Sequence, residues 1–253
     1  MHPYIHTSFG DLSTFTIFIV VGAISMIFMI HFTLKKSNQH IEETFIYPRL
    51  VISGILGFVF AAIFDLLFKY LEYGIFKIYG ITFYGGLIGA CVVMYVLLKI
   101  SKSETQYNIS EWFEILTPPF IVFHFFGRLG CFFAGCCYGR NSDSVFALAF
   151  PDNEKMGIFH NGQKCYPTQL FEALALVVIL IFVMLAKKKF QTYLMCYALV
   201  RFNLEFLRGD DRGFFTNQIS PSQIISIVII CGFILYKLII FLKNRRNVNY
   251  KIT

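Results

Sequence analysis

The sequence has little charge and little tryptophan. Only 15% of its 253 residues are Asp, Glu, Lys or Arg, and a single Trp accompanies 31 Phe. Apolar residues make up 57% of the chain, and the mean hydropathy is +0.64. A soluble domain of this length cannot bury so much apolar surface. The composition therefore excludes an ordinary soluble domain and predicts an all-α integral membrane protein.

A regular cysteine framework and a cleavable signal peptide are also lacking. The seven cysteines are scattered through apolar runs, without the even spacing of a disulfide-rich secreted protein. The stretch Met1 to Leu12 is polar and has no basic cluster, unlike the start of a signal peptide. No soluble domain or internal repeat is evident, so we expect residues 1–253 to form a single membrane domain.

Seven apolar segments are candidates to cross a bilayer, which requires about 20 largely apolar residues in a helix. The sixth is the weakest, because Arg201 and Glu205 interrupt it. The predicted spans are Thr14–Leu34, Leu50–Tyr70, Ile81–Leu98, Trp112–Phe133, Thr168–Ala186, Tyr193–Leu207 and Ser222–Leu242.

The basic residues predict the orientation of these spans. If the spans alternate, twelve Lys and Arg residues fall on one side and seven on the other, and the tight turn Lys187–Lys189 belongs to the richer side. Short basic connections face the cytoplasm, so the N-terminus is predicted outside and the C-terminus in the cytoplasm. The long connection at about 138–167 is then extracytoplasmic, and its Val-Phe-Ala-Leu-Ala-Phe run indicates a short strand or an interfacial segment.

Polar side chains of several spans then lie toward the outer leaflet. Arg128 is near the outer end of the fourth span, and Glu172 is near the outer start of the fifth. Arg201, Glu205 and Arg208 follow one face of the sixth at positions i, i+4 and i+7. Ionisable residues at membrane depth usually face a protein interior or an aqueous path. Their common depth predicts a polar cavity that opens toward the outer leaflet.

Two interpretations of these charges remain open. In one, Arg201 pairs with Glu205, and Arg128 pairs with Glu172 or Asp65, only to make burial tolerable. In the other, the arginines bind a ligand. A planar guanidinium binds phosphate through two parallel hydrogen bonds, and two guanidiniums near a membrane surface suit a phospholipid headgroup.

Four motifs that contain these residues resemble, in the same order, those of the bacterial prolipoprotein diacylglyceryl transferases. The resemblance covers most of the chain from Tyr84 onward. The motifs are Tyr84-Gly85-Gly86-Leu87-Ile88-Gly89, Gly127-Arg128-Leu129-Gly130 with Gly135 and Tyr138-Gly139-Arg140 after it, Tyr166-Pro167-Thr168-Gln169-Leu170-Phe171-Glu172, and Arg201-Phe202-Asn203-Leu204-Glu205-Phe206-Leu207-Arg208.

The resemblance implies a seven-helix enzyme of the bacterial cytoplasmic membrane. Such an enzyme moves the diacylglyceryl group of phosphatidylglycerol onto the lipobox cysteine of a prolipoprotein and releases glycerol 1-phosphate. The implied partners are this lipid and an extracytoplasmic acceptor; no cofactor, metal or nucleic acid is expected. The implied catalytic residues are Arg128, Arg201, Tyr84, Cys131 and Glu205. The implied substrate-binding residues are Gly85, Gly86, Cys136, Tyr138, Gly139, Arg140, Gln169, Glu172 and Arg208.

The chain departs from the family pattern at acid–base positions. Two family histidines are replaced by Tyr84 and Tyr166, two asparagines by Cys131 and Ala134, and a glutamate by Cys136. The phosphate-binding residues are retained while the acid–base residues are changed. The alternative is therefore the same lipid donor with a hydroxyl or glycan acceptor, or transfer of the glycerophosphate part.

The general base is not identified by these motifs. His124 lies one turn before Arg128 and is a candidate, although a histidine that is hydrogen-bonded inside the bundle is the commoner case. Tyr84 can donate a hydrogen bond to phosphate, but a phenol is a poor base near neutral pH.

The clustered cysteines allow three interpretations. Cys131, Cys136 and Cys137 are packing residues or form a disulfide with Cys165, or one of them is a nucleophile activated by Arg128. A metal site is disfavoured, because the spacing C-x4-C-C without a nearby histidine does not match the usual zinc motifs. A function of another class follows from the same residues, namely a membrane thiol–disulfide redox protein.

Overall fold

The computed structural model describes residues 3–8, 10–34, 39–74, 76, 82–153, 158–209 and 219–249. Within them, seven α-helices and two short hairpins follow one another along the chain. The elements are β1 (Tyr4–Thr7), β2 (Gly10–Ser13), α1 (Thr14–Leu34), α2 (Gln39–Tyr73), α3 (Phe83–Ile100), a 3₁₀ turn (Lys102–Glu104), α4 (Ile109–Ala134), β3 (Leu148–Ala149), β4 (Lys164–Cys165), α5 (Thr168–Leu185), α6 (Lys189–Glu205) and α7 (Pro221–Asn249).

Six of the described helices are long and apolar enough to cross a bilayer, namely all except α6, which has 17 residues. Large apolar side chains cover the outside of the bundle: Phe28, Phe58 and Leu185 are 64%, 62% and 81% exposed. Such a surface suits a lipid environment, because in water these apolar side chains would be exposed without apolar neighbours. The prediction of a helical, multi-pass membrane protein is confirmed.

The predicted spans correspond to helices α1 to α7, with different bounds for all but α1. The largest difference is in α2, which begins at Gln39 rather than Leu50. Its polar first turns are tolerated because Glu42 is buried and accepts hydrogen bonds from the Thr105 hydroxyl and the Gln106 backbone N–H. The predicted first residue of the third span, Ile81, lies outside the described residues.

Helix α4 also begins earlier than predicted, and a capping box explains why. The Asn108 side chain accepts a hydrogen bond from the Glu111 backbone, and the Glu111 carboxylate accepts one from the Asn108 backbone. These two bonds satisfy amides that would otherwise be exposed at the helix start. The helix therefore begins at Ile109, although the apolar run begins only at Trp112.

The two hairpins flank the helical bundle. The β1–β2 hairpin, which the sequence analysis missed, pairs Tyr4 with Ser13, and both the backbone N–H and the hydroxyl of Thr14 donate to the Pro3 carbonyl. The β3–β4 hairpin pairs Leu148 with Cys165 in the long connection between α4 and α5. The short strand predicted there is confirmed; residues 154–157 of that connection lie outside the described part.

Glycines bring α3 into close contact with α2. A Cβ atom added to Gly85 would lie 2.6 Å from the Phe64 Cβ, and one added to Gly86 would lie 3.4 Å from the Ala61 Cβ. Both glycines thus belong to the start of α3 and face α2. Their assignment to substrate binding, which the family resemblance implies, stays a prediction.

Candidate active site

The buried carboxylate of Glu172, on α5, joins side chains from three helices. Its Oε1 lies 3.0 Å from Arg128 Nη2 on α4, and its Oε2 lies 3.8 Å from Arg201 Nη1 on α6. The Tyr197 hydroxyl, also on α6, donates a 2.7 Å hydrogen bond to Oε1. The two arginines that the motifs singled out therefore converge on one carboxylate. Of the two partners left open for Arg128, Glu172 and Asp65, the structure shows Glu172.

The second predicted ion pair lies within α6. Arg201 Nη2 is 2.7 Å from Glu205 Oε2, one helical turn along the chain, and it donates to the Ser222 hydroxyl at 3.4 Å. Ser226, one turn further on α7, shares a 2.8 Å hydrogen bond with the Tyr84 hydroxyl. Tyr84 is thus linked to the cluster through α7, and its catalytic assignment stays a prediction.

His124 is hydrogen-bonded on both sides of its ring. Its Nε2 accepts from Arg128 Nε at 3.3 Å, and its Nδ1 lies 3.2 Å from the Tyr193 hydroxyl. The ring also stacks on Phe83, with 4.2 Å between centroids. These contacts match the interpretation of His124 as a satisfied interior histidine that holds the Arg128 guanidinium in place.

Sequence reasoning missed the polar residues that support the cluster from α6 and α7. Tyr193, Tyr197 and Arg201 are spaced at i, i+4 and i+8 and therefore share a face of α6. Ser222 and Ser226 repeat the same spacing on α7. This periodicity of polar residues in two apolar segments is the signal that could have identified them.

The charged cluster is buried. The exposed fractions are 5% for Arg128, 1% for Arg201 and 0% for Glu172. Among the described residues, two guanidiniums and two carboxylates are enclosed between helices, a balance of charge that offsets part of the large cost of removing ions from water. The polar cavity predicted toward the outer leaflet stays a prediction.

Four buried polar atoms of the cluster and of the start of α5 have no hydrogen-bond partner among the described residues. They are Arg201 Nη1, Glu172 Oε2, Glu205 Oε2 and Gln169 Oε1. The 3.8 Å between the first two is too long for a hydrogen bond. Most buried polar atoms in folded proteins are hydrogen-bonded, so a donor and carboxylate acceptors left over beside Arg201 indicate a site that can take a further polar group.

A backbone ladder lies where α4 ends and α5 begins. The Gly139 N–H donates to the Tyr166 carbonyl at 2.8 Å, and the Arg140 N–H donates to the Leu207 carbonyl at 2.8 Å. Gly139 also forms an isolated bridge with Arg208. A Cβ at Gly139 would lie 2.6 Å from the Leu207 carbonyl oxygen. Glycine is therefore required here for strand contact, while the Arg140 side chain is exposed.

The start of α5 holds the segment that follows α4. Gln169 Nε2 donates to the Cys136 carbonyl at 2.6 Å, and the Thr168 hydroxyl donates to the Cys137 carbonyl at 2.9 Å. Tyr138, the next residue, packs its ring on His160, with 4.4 Å between centroids. Three predicted substrate-binding residues thus lie close together beside the start of α5, namely Gln169, Cys136 and Tyr138.

The thiols of the three clustered cysteines lie close together in space. The Sγ atoms of Cys131, Cys136 and Cys137 all lie within 4.8 Å of one another. No disulfide joins the described cysteines, so the alternative of a disulfide with Cys165 is not formed; the Cys165 thiol donates to Asn141 Oδ1 at 3.2 Å.

Hydrogen bonding to the Cys131 and Cys137 thiols, together with burial, raises the pKa of Cys136. The interpretation of one of the three thiols as a nucleophile activated by Arg128 stays a prediction.

Comparisons with known proteins agree with the motifs. The family model described as prolipoprotein diacylglyceryl transferase matches residues 4–239. A phosphatidylglycerol–prolipoprotein diacylglyceryl transferase 2 of Clostridium perfringens is 32% identical over 179 residues, which cover 68% of this chain and 67% of the relative. Enzymes named phosphatidylglycerol–prolipoprotein diacylglyceryl transferase from Clostridium tetani and Clostridium botulinum are 28% and 29% identical, over 65% and 74% of this chain and 66% and 76% of their own lengths.

Proposed function

The chain belongs to the prolipoprotein diacylglyceryl transferase family, and from this membership we propose that it transfers the diacylglyceryl group of phosphatidylglycerol to the lipobox cysteine of a prolipoprotein. The observation that carries the proposal is the convergence of Arg128 and Arg201, from two helices, on Glu172. Two guanidiniums this close together suit a phosphate, which offers several oxygens to bidentate donors.

In the proposed reaction, the acceptor sulfur attacks the glycerol carbon that carries the phosphate ester. A C–S bond forms, and the C–O bond to phosphate breaks with its electron pair on the oxygen. Glycerol 1-phosphate leaves, and the acceptor thiol proton passes to solvent. The negative charge of the departing phosphate grows during this step, so cations fixed beside it lower the barrier.

The carboxylates keep the arginines in place before the lipid arrives. Glu172 and Glu205 balance the two guanidiniums, and Arg201 Nη1 has no hydrogen bond among the described residues. We expect the lipid phosphate to accept hydrogen bonds from Arg201 Nη1 and from one N–H of Arg128. These bonds would replace part of the contact between the two guanidiniums and Glu172. Preformed ion pairs of this kind hold the donors rigid, so little ordering is required at the moment of reaction.

The finer architecture belongs to the same proposal. We propose a single membrane domain with seven spans, an outer N-terminus and a cytoplasmic C-terminus, in a bacterial cytoplasmic membrane. Helix α6 counts as the seventh span because only Ala186, Lys187 and Lys188 separate it from α5, and Tyr197 on α6 meets Glu172 near the opposite end of α5. The described residues 138–153 and 158–167 then lie on the outer side of the site, with Arg140 and Arg208 at its rim.

Arginine-to-lysine variants test this function. Arg128→Lys and Arg201→Lys retain a positive charge but lose the planar fork, and loss of one such donor costs about 100-fold or more in rate. The measurement is transfer from labelled phosphatidylglycerol to a lipobox peptide by purified protein, read as the mass increase of the peptide. Arg49→Lys is the matched control, because Arg49 also forms an ion pair, with Glu104, in another part of the bundle.

The control variant should transfer at the wild-type rate. If wild-type protein leaves both lipid and peptide unchanged, the transferase function is wrong. If Arg128→Lys and Arg201→Lys are as active as Arg49→Lys, the buried cluster is not the phosphate site.

A further inference from the structure

The three clustered thiols have the geometry of a metal site. Their Sγ atoms lie within 4.8 Å of one another. In a tetrahedral zinc site with Zn–S distances near 2.3 Å, neighbouring sulfurs are about 3.8 Å apart. Each pair therefore has to approach by at most about 1 Å to reach that geometry.

The backbone holds these thiols in position. Cys137 has a φ of 65°, in the left-handed region, which a non-glycine residue seldom adopts because its Cβ crowds the backbone. The reversal turns Cys136 and Cys137 back toward Cys131, at the end of α4. Hydrogen bonds from Thr168 and Gln169 to the two carbonyls keep the reversal in place. Helix α5, which also carries Glu172, thus stabilises this conformation of Cys137.

Charge at the site also favours a metal–thiolate group. Three thiolates and one Zn²⁺ carry a net charge of −1. Arg128 is one turn before Cys131 on α4 and interacts electrostatically with Cys131 and Cys137. Its guanidinium offsets that negative charge, as a neighbouring cation does for other thiolates.

We propose that Cys131, Cys136 and Cys137 bind one Zn²⁺ through three thiolates, with a fourth position open to the acceptor thiol. The part that concerns the acceptor rests on the proposed transferase function. Soft thiolate ligands select zinc among the common divalent cations, and three protein ligands with one open position are typical of catalytic zinc.

The open position supplies the activation that the changed acid–base residues do not. The acceptor S–H binds at zinc and releases its proton to solvent, because coordinated thiols are deprotonated. The zinc-bound thiolate then attacks the glycerol carbon, and the C–O bond breaks as described above. The product is a neutral thioether, which binds zinc weakly and leaves. Zinc keeps its oxidation state throughout, so no oxidant or reductant is needed.

Metal content tests the site independently of activity. Full-length protein is purified under reducing conditions, and bound zinc is measured per chain. A second aliquot receives Co²⁺, whose thiolate complexes show intense sulfur-to-metal charge-transfer absorption. We expect about one zinc per chain, and at least a tenfold loss in Cys131→Ser and Cys136→Ser. Cys165→Ser, a thiol outside the cluster, is the control and should bind as wild type does.

Three results would overturn the site. The first is wild-type protein that contains no zinc and shows no cobalt–thiolate absorption. The second is that the cluster variants bind as much metal as the Cys165→Ser control. The third is a disulfide among the three cysteines in protein taken directly from cells. The last result would assign the cluster to redox chemistry. All variants must elute as a single species in detergent, and the single substitutions keep the other two thiols for packing.

Transfer assays separate this inference from the function on which it rests. Chelation of zinc should lower transfer at least tenfold, and Zn²⁺ but not Mg²⁺ should restore it. Full transfer by metal-free protein would overturn the acceptor step and leave the transferase function intact. Zinc-loaded protein that transfers no lipid would instead contradict the transferase function while the metal site stands.

Discussion

At the scale of single residues, Glu172 is the side chain on which the buried charges depend. It is fully buried and lies within 4 Å of Arg128, Arg201 and His124. A buried ion pair adds little stability by itself, yet removal of one partner leaves an uncompensated charge. Glu172 therefore has a structural role that precedes any role in binding lipid.

Glu172→Gln should destabilise the protein by about 3–5 kcal/mol, because two guanidiniums would lose their shared carboxylate. The expected fall in the midpoint of thermal unfolding is on the order of 10 °C. The matched control is Glu104→Gln, since the Glu104 side chain is 60% exposed and its pair with Arg49 is worth about 0–1 kcal/mol. Equal midpoints for the two variants would show that the cluster does not depend on the Glu172 charge.

At the scale of elements, contact between α2 and α3 depends on small residues. A Cβ at Gly89 would lie 2.3 Å from the Phe60 Cβ, and one at Gly57 would lie 2.9 Å from the Ala90 Cβ. Lipid offers no hydrophobic driving force between helices, so close packing of this kind is what holds them together. The position of Tyr84, on α3, follows from this contact.

Gly89→Ala should lower stability by about 1–3 kcal/mol, because the added methyl group forces the two helices apart. Gly54→Ala is the control, since no atom lies within 4 Å of its added Cβ. That change should be neutral or stabilising by up to about 1 kcal/mol, as alanine is the better helix former. Thermal unfolding in detergent compares the two; a Gly89→Ala midpoint at or above that of Gly54→Ala would contradict the packing argument.

At the scale of the whole molecule, the arrangement in the membrane decides which solvent reaches the site. The α4–α5 connection and the α5–α6 turn lie at opposite ends of α5. If the long connection is outside, the arginine cluster and the thiols both face the outer leaflet, where an acceptor that has been exported is available. The Lys187–Lys189 turn would then face the cytoplasm.

Insertion of a folding reporter tests this orientation. Alkaline phosphatase, which is active only outside the cytoplasm, should be active when inserted after Ser144 and inactive when inserted after Lys188. The reverse pattern would invert the proposed topology. Activity at both sites, or at neither, would show that α5 does not span the membrane.

The sequence by itself determined the class of the protein, the helices and the identity of the charged cluster. Apolar runs and helical spacing are local properties, so the span Thr14–Leu34 matches α1 in both bounds, and the i, i+4 spacing predicted the Arg201–Glu205 pair. The four motifs predicted the family that the comparisons showed.

Only the tertiary structure decided what these residues contact. The burial of Arg128 and Arg201 around Glu172 depends on how α4, α5 and α6 pack. The meeting of three thiols depends on a left-handed Cys137, which no periodicity encodes. The arginine contacts join residues that are distant in sequence, and local patterns carry no information on the distances between helices.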